Sequence, residues 1–346
     1  MMLKKLYLEL TDKCNLNCSI CYRRAWNFKL QDMEREVLDR VVDNVREIGS
    51  LREVVIGGIG EPLVAPLIED ALEQLSDYYL TVTTNGTVMN ERLADLMVKS
   101  VDAVTVSVDG LEESVKEIRG TELSRILDNV GELNKRRRGN RPILNFQFVL
   151  SADNLHDIMR LIDLAECAQV NQVIVSNLVP QTEDNKDKIK YTRYENREVK
   201  SLFRSLRNYA LRKGVGLRLP QCELKGERRC DFVDRGAAYI CSTGEVVPCY
   251  RFSHPGQEFI FGRGKRVNQH SFGSILEEAL IDIWNSERYT NYRDLIYNNH
   301  YPSCIDCELA DGCDLGPRHQ TGLSGDKPLL RGLPLVEGVY CLPIKI

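Results

Sequence analysis

The sequence has no long apolar stretch and no strong excess of charge of either sign. No apolar run approaches the ~18 residues that a membrane-spanning helix needs. The first residues lack the apolar core of about 7–15 residues that a secretory signal peptide carries. The 46 basic and 50 acidic side chains leave a formal net charge of −4, which gives no electrostatic footprint for nucleic acid or for an anionic membrane. We therefore expect a cytoplasmic protein with neither kind of partner.

The remaining composition is that of a globular protein with an unusual number of thiols. Of the 346 residues, 43% are hydrophobic and 28% charged, which excludes the disordered and fibrous classes. This length predicts about two domains, at roughly 150 residues per domain. The chain contains 12 cysteines. In a reducing compartment, clustered thiols are more often metal ligands than disulfides.

Short β-branched runs alternate with amphipathic helical stretches over the first two thirds of the chain. The predicted strands are 6–10, 53–57, 80–84, 103–108, 143–150 and 173–175. The predicted helices are 34–48, 65–76, 90–99, 122–137, 155–167 and 195–213. Six such repeats indicate parallel strands with right-handed crossovers, in either a doubly wound sheet or an open (β/α)6 partial barrel. Both architectures collect their chemistry at the carboxyl ends of the strands.

The repeat stops near residue 217, and the composition changes there. The remainder is loop-rich and carries eight of the cysteines, so we predict a domain over 1–216 and a second over 217–346 that needs metal to fold. Residues 180–188 are polar and break the repeat, which predicts a mobile loop over the carboxyl ends of the strands.

Three thiols follow the first predicted strand within eight residues, at Cys14, Cys18 and Cys21. A [4Fe–4S] cluster normally takes four thiolates, so a loop supplying three leaves one iron open to another ligand. A zinc site with a distant fourth ligand and a set of unliganded thiols are the alternatives.

This C-x3-C-x2-C loop, with Ile20 before its last cysteine, resembles the signature of the radical SAM superfamily. The resemblance implies an open (β/α)6 partial TIM barrel. It also implies that the open iron is chelated by the amino and carboxylate groups of S-adenosylmethionine (SAM). An electron from the cluster would then cleave SAM to methionine and a 5′-deoxyadenosyl radical, which abstracts a hydrogen atom from the substrate.

Motifs at the later strand ends agree with this resemblance. It implies that SAM is held by Gly58, Gly60, Glu61, Asn85, Ser107, Asp109 and Arg119. Of these, Arg119 would pair with the methionine carboxylate. Val175, Asn177 and Leu178 would lie near the adenine, and Asn145 or Gln147 would face the barrel interior. Ordinary turn chemistry at Asn-Gly and Asp-Gly, and a surface arginine, are the alternatives.

The later cysteines resemble the SPASM extension of radical SAM enzymes, which holds two auxiliary [4Fe–4S] clusters. Cys230, Gly244 and Cys249 have its first spacing, and Pro317 stands where its pattern has a further cysteine. Counting gives two sets of four thiols, Cys222, Cys230, Cys241 and Cys249 in one and Cys304, Cys307, Cys313 and Cys341 in the other. His319 or an open iron would replace the missing ligand, and two zinc sites are the alternative. Cys167 is left over, as a buried core thiol.

Two short stretches, 21–26 and 57–62, resemble the cofactor-modifying proteins of tungsten-containing aldehyde ferredoxin oxidoreductases. That resemblance implies a tungstopterin cofactor or its host oxidoreductase as the target, and a ferredoxin or flavodoxin as electron donor. Arg23 and Arg24 would receive an anionic group, or would be solvated surface residues. A peptide maturase is the second enzyme hypothesis, although no preceding peptide-binding domain is expected because the first strand begins by residue 6. An electron-transfer or zinc scaffold is the hypothesis without an enzyme. No catalytic residue stands out; Tyr22, Tyr250 and free thiols are candidate hydrogen donors.

Overall fold

A ten-stranded sheet organises the part of the chain that the computed structural model describes, residues 1–223 and 229–300. The strands of this sheet and of one separate hairpin are, in chain order, β1 (Lys5–Leu8), β2 (Glu53–Ile56), β3 (Tyr79–Thr84), β4 (Ala103–Ser107), β5 (Ile143–Leu150), β6 (Gln172–Asn177), β7 (Gly216–Arg218), β8 (Ala237–Ile240), β9 (Glu245–Val247), β10 (Gly256–Ile260), β11 (Arg263–Val267) and β12 (Gly273–Ser274). The order in the sheet is β12-β9-β8-β1-β2-β3-β4-β5-β6-β7, and β10 and β11 form the antiparallel hairpin.

Helices connect the parallel strands and follow the sheet. They are α1 (Arg35–Glu47), α2 (Ile68–Gln74), α3 (Glu91–Ser100), α4 (Glu112–Arg119), α5 (Leu123–Arg136), α6 (Ile158–Cys167), α7 (Arg197–Lys213), α8 (Asp231–Asp234), α9 (Leu280–Asn285) and α10 (Glu287–Tyr297). Within the described ranges, none of the helices combines the length and the apolar character that crossing a membrane would take.

The six predicted strand–helix repeats are confirmed. Strands β1 to β6 pair in sequence order and in parallel, and α1 illustrates why the helices could be predicted. Val37, Leu38, Val41 and Val45 recur at helical spacing and are buried on one face of α1. The sequence did not predict α4 or β7. Both are short, and α4 lies in what was read as the connection between the fourth strand and the following helix.

The two faces of the sheet have different chemistry, because successive side chains of a strand point to opposite sides. In β4, Val104 and Val106 pack into the apolar core with the helices, whereas Thr105 and Ser107 line a cavity on the other face. The same alternation places Gln147 of β5 in the cavity and its neighbour Phe146 in the core. The open sheet therefore presents a polar concave face to a central cavity, as an open partial barrel requires.

Residues beyond the repeats extend the sheet from its first strand. Strand β8 runs parallel to β1, with Lys5 opposite Ala237 and Leu8 opposite Ile240, and β9 then pairs antiparallel with β8. Ile240 is fully buried in the same apolar core as β1. The sequence did not predict these strands, and the domain boundary at residue 216 stays a prediction.

Two smaller expectations have different outcomes. Cys167, expected in the core, ends α6 and is exposed, so that interpretation is wrong. The helix turns its apolar stripe, which includes Leu161 and Ala165, inward, and Cys167 lies off that stripe. The polar segment 180–188 is tied at its end to the chain after β5, because the N–H of Ala152 donates to the carbonyl of Lys188 at 2.8 Å, and its mobility stays a prediction.

Because β8 pairs with β1, we expect the strand–helix repeats and the later segment that contains β8 to unfold together. We expect Ile240→Ala to lower the free energy of unfolding by about 2–5 kcal/mol, because it removes a fully buried side chain from the shared core. Leu211→Ala, at a position that is 81% exposed on α7, is the matched control and should cost less than about 0.5 kcal/mol. Anaerobic urea denaturation measures both. An Ile240→Ala variant as stable as the control would contradict the prediction.

Candidate functional site

A cavity of about 420 Å³ lies at the carboxyl ends of the parallel strands. All three cysteines of the first cluster, Cys14, Cys18 and Cys21, line it. So do all seven residues that the resemblance assigned to SAM, which are Gly58, Gly60, Glu61, Asn85, Ser107, Asp109 and Arg119. Residues from the ends of four strands, β1 to β4, and from α4 thus meet at one place, as parallel topology requires.

The cysteine loop is held by a close backbone contact from the loop after β2. The N–H of Glu61 donates to the carbonyl of Lys13 at 2.8 Å. A Cβ at Gly60 would lie 2.7 Å from that carbonyl oxygen and closer still to the carbonyl of Thr11. Glycine is therefore required at position 60, because any side chain would push the two loops apart.

The other side of the cysteine loop is held by polar contacts to the chain that precedes α1 and to α4. The Thr11 hydroxyl donates to Asp32 at 2.6 Å, and Lys13 forms an ion pair with the same carboxylate at 2.8 Å. The N–H of Ser19 donates to the carbonyl of Ile118 at the end of α4. The loop is thus fixed on both sides.

Burial controls the protonation of the thiols. Burial raises the pKa of Cys18 to about 11; the Arg119 charge opposes that shift, and the thiols of Cys21 and Cys14 add to it. Burial also raises the pKa of Cys21, against a backbone hydrogen bond and the charge of Arg23. These two thiols are therefore protonated at neutral pH in the absence of metal, and binding iron as thiolates would release their protons.

The spacing of the ligating groups can be tested against the metal chemistry. Across residues 1–223 and 229–300, no three His, Cys, Asp or Glu side chains come close enough together to bind one metal ion. A zinc ion would need its thiolates at about 2.3 Å from a single centre. In a [4Fe–4S] cluster the thiolates bind different irons and lie farther apart. The three thiols therefore do not form a site for a single zinc ion as they lie on the cavity wall, and their ligation of a cluster stays a prediction.

A buried ion pair crosses the site behind the cysteines. Arg119 Nε lies 2.8 Å from Asp109 Oδ2, and the other oxygen of Asp109 accepts the N–H of Val149 at 2.8 Å. Burial disfavours the Arg119 charge, but Asp109 and the Cys18 thiol outweigh it and raise the pKa of Arg119. The carbonyl of Arg119 also lies 3.9 Å from the sulfur of Cys18. This pair places a permanent cation beside the cysteine loop.

Glu61 uses its carboxylate to tie two strand ends together. Oε1 accepts the Thr84 hydroxyl at 2.7 Å and the N–H of Leu63 at 3.0 Å, and Oε2 accepts the N–H of Asn85 at 2.6 Å. The side chain is buried; burial raises its pKa, and these hydrogen bonds oppose the shift. Asn85 in turn donates to the side chain of Asn15 in the cysteine loop at 2.8 Å. Both residues therefore position the site, whatever they contact in a ligand.

The remaining predicted contacts divide between the cavity and the core. Gln147, Asn177 and Leu178 line the cavity, whereas Val175 belongs to the apolar core, so its expected place beside a ligand is wrong. Arg23 donates to the carbonyl of Leu16 in the cysteine loop at 3.2 Å, and Arg24 is exposed.

The auxiliary cysteines do not gather as the counted set of four. Cys230 and Cys249 line the same cavity as the first cluster. Cys222 lies among the charges of Glu223 and Lys200, and Cys241 is buried beside Glu9. Neither of these two thiols is among the described residues that line the cavity. The second predicted set, Cys304, Cys307, Cys313 and Cys341, lies outside the described residues, as do Pro317 and His319.

Two buried polar contacts that the sequence did not reveal join the hairpin region to the loops that carry the cysteines. His254 Nε2 lies 2.8 Å from Glu9 Oε2, just after β1. Arg251 forms a double contact with Glu258, and the Tyr22 hydroxyl donates to that carboxylate at 3.3 Å. Tyr22 and Glu258 are 236 residues apart in the chain, so no local pattern could have found the pair.

The two candidate hydrogen donors are in contact inside the site. Tyr22 and Tyr250, each directly after a predicted cluster ligand, pack edge to face at 5.9 Å and line the cavity. Burial raises the pKa of both phenols well above its usual range, so both are neutral.

The Glu61 network yields a testable expectation. In Glu61→Gln, an NH₂ group must face a protein donor in place of one carboxylate oxygen. We expect the free energy of unfolding to fall by about 1–3 kcal/mol, because a buried donor loses its acceptor. Urea denaturation measures this, with Glu73→Gln at an exposed position of α2 as the matched control. Equal stability of the two variants would show that the network does not brace the site.

Comparison with known proteins agrees with this geometry. Residues 8–165 match the model of the radical SAM superfamily, and residues 230–308 match that of the SPASM iron–sulfur cluster-binding domain. A tungsten-containing aldehyde ferredoxin oxidoreductase cofactor-modifying protein of Pyrococcus furiosus is 35% identical over 339 residues, which cover 94% of this chain and 93% of that protein. A GTP 3′,8-cyclase of Clostridium perfringens is 30% identical over 192 residues, covering 53% of this chain and 58% of that protein.

Solved structures with the same fold have lower sequence identity. SuiB of Streptococcus suis bound to S-adenosylmethionine superposes with a TM-score of 0.67 at 19% identity, covering 91% of this chain and 73% of SuiB. The structure of anSMEcpe with bound AdoMet gives a TM-score of 0.63 at 18% identity, covering 88% of this chain and 87% of that one. These likenesses establish the fold.

Proposed function

The chain belongs to the radical SAM superfamily, and from that premise we propose that it is an enzyme of tungsten-cofactor maturation. It would modify a tungstopterin or the oxidoreductase that carries one. The observation that carries this proposal is the 35% identity to the cofactor-modifying protein of Pyrococcus furiosus, which extends over 94% of the chain and so includes both the barrel and the auxiliary region. The fold likeness to peptide-bound structures, at 19% identity, does not bear on the substrate.

Membership of the family indicates which cofactors the chain binds, and the chain carries thiols that suit them. Radical SAM domains bind a [4Fe–4S] cluster and SAM, and the SPASM domain is an auxiliary iron–sulfur domain. When bound, the cluster and SAM supply the reductive cleavage that generates a 5′-deoxyadenosyl radical. We assign the ligation of that cluster to Cys14, Cys18 and Cys21, and auxiliary ligation to Cys230 and Cys249, which face the same cavity.

The side chains at the strand ends would bind and orient SAM. Arg119 is a buried cation beside Cys18, and it would attract the methionine carboxylate while Asp109 keeps it in place. Gly58, Gly60 and Ser107 border the cavity and present backbone or hydroxyl groups to a ligand. Glu61 and Asn85 would act by holding the loop, as their hydrogen bonds to the chain indicate.

The proposal also fixes the setting in which the protein works. Thiols that ligate iron must stay reduced, and we therefore propose a reducing cytoplasm as the setting. A ferredoxin or flavodoxin would act there as the electron donor. About a dozen apolar and aromatic side chains contribute to the cavity lining, together with the polar strand ends. Such a lining would exclude bulk water around a reactive radical.

The first experiment removes one thiol. Cys18→Ala, reconstituted anaerobically with iron and sulfide, should lose about four of the ~12 irons expected for three [4Fe–4S] clusters, and all reductant-dependent formation of 5′-deoxyadenosine. Cys167→Ala, which removes an exposed thiol away from the cavity, is the matched control and should keep both. Normal 5′-deoxyadenosine formation by Cys18→Ala would refute the ligand assignment.

The second experiment tests the substrate class. Reconstituted enzyme with SAM and dithionite is given a tungstopterin-containing oxidoreductase, the released tungstopterin, or a cysteine-rich peptide. We expect SAM cleavage to be stimulated, and a change of mass to appear, with one of the first two. Stimulation by the peptide alone would favour the peptide maturase, and zinc binding without SAM cleavage would favour a scaffold.

A further inference from the structure

Gln181 carries a buried amide that has no hydrogen-bond partner in the described part of the chain. The residue is 2% exposed, and both Nε2 and Oε1 lack a partner. It lies four residues after β6 ends and lines the same cavity as the cysteine loop. No resemblance assigned a role to this position.

The backbone around Gln181 is fixed from two directions. Its N–H donates to Asn185 Oδ1 at 3.0 Å, and the amide of Asn185 donates to the carbonyl of Ser19 in the cysteine loop at 3.4 Å. On the other side, the N–H of Phe259 in β10 donates to the carbonyl of Pro180 at 2.8 Å. The side chain is thus presented to the cavity between the cysteine loop and the hairpin.

Other amides along the cavity are satisfied by the protein. Gln147 donates to the Ser176 hydroxyl at 2.8 Å, and Asn177 donates to the carbonyl of Gln221 at 2.8 Å. Burying an amide without partners is unfavourable, and buried polar groups in folded proteins are almost always paired. An amide that is buried, held in place and unpaired on both atoms therefore calls for a partner beyond residues 1–223 and 229–300.

We propose that Gln181 reads the edge of a planar heterocycle that carries a hydrogen-bond donor next to an acceptor. A primary amide offers both functions side by side and can pair with such an edge through two hydrogen bonds. Two ligands of this enzyme have that edge. One is the adenine of SAM; the other is the aminopyrimidinone of a pterin, which rests on the proposed function.

The adenine arm compares SAM with its purine counterpart, in which hydrogen replaces the 6-amino group, because rotation of the Gln181 amide cannot restore the lost hydrogen bond. Equilibrium dialysis with the reconstituted full chain should give the wild type a preference of about tenfold or more for adenine. Gln181→Met, which keeps the length of the side chain, should bind both compounds about equally. A merely structural role would weaken both compounds by the same factor and leave the preference intact.

The pterin arm uses the same design with 6-hydroxymethylpterin and the matching 2-deamino compound, in which hydrogen replaces the 2-amino group. Loss of the preference for pterin in Gln181→Met, with the adenine preference unchanged, assigns the amide to the substrate. The opposite pattern assigns it to SAM. Gln74→Met on α2, away from the cavity, is the matched control for both arms and should keep each preference.

Stability provides an independent readout. Because the amide has no partner among the described residues, Gln181→Met should leave the thermal midpoint of the ligand-free chain unchanged or higher. Gln181→Leu, which also removes both polar atoms of the side chain, should lose the same preference as Gln181→Met. Unchanged preferences in both arms for both variants would overturn the inference. The proposed function would stand in that case as long as the variants still cleave SAM.

Discussion

The site depends on a contact between two stretches of backbone that lie too close together to leave room for a side chain. The loop after β2 lies against the carbonyls of Thr11 and Lys13, and Gly60 makes that approach sterically allowed. Glu61, the next residue, then ties the same loop to the end of β3 through two hydrogen bonds, from the Thr84 hydroxyl and the N–H of Asn85. The cysteine loop is therefore positioned by its neighbours before any iron binds. This is the arrangement expected of a site that must leave one coordination position free.

Opposite charges buried between distant parts of the chain complete the cavity. Arg119 and Asp109 close its floor near the cysteines, and Arg251 with Glu258 joins the hairpin to Tyr22. Breaking a buried pair of this kind costs far more than making it contributes, because one charge is left without a partner. Such pairs therefore serve to fix which surfaces meet. Here they hold Cys230 and Cys249 toward the space that the first cluster also faces.

The sequence alone predicted features that depend on residues near one another in the chain, and it missed features that depend on contacts between distant residues. The strands, most of the helices and the three cysteines follow from spacing, because a helix face or a metal loop is defined within a few residues. Cys167 shows the limit: one thiol on a helix gives no measure of which way the helix turns, and it is exposed. The splitting of Cys222 and Cys241 from the cavity, the His254–Glu9 pair and the unpaired amide of Gln181 all depend on tertiary packing. No periodicity encodes them. Their only sequence signal is a polar residue in an otherwise apolar setting.

The position of β8 has a consequence for how the chain is made. Strand β1 is translated well before β8, yet β8 is one of its two sheet partners. Until the ribosome has released that later segment, the nascent β1 keeps an open edge of unpaired amides and carbonyls, and such edges invite association with other chains. The cysteine loop, which directly follows β1, is also incompletely folded until then. We therefore expect metal loading to follow synthesis, once β8 has paired with β1.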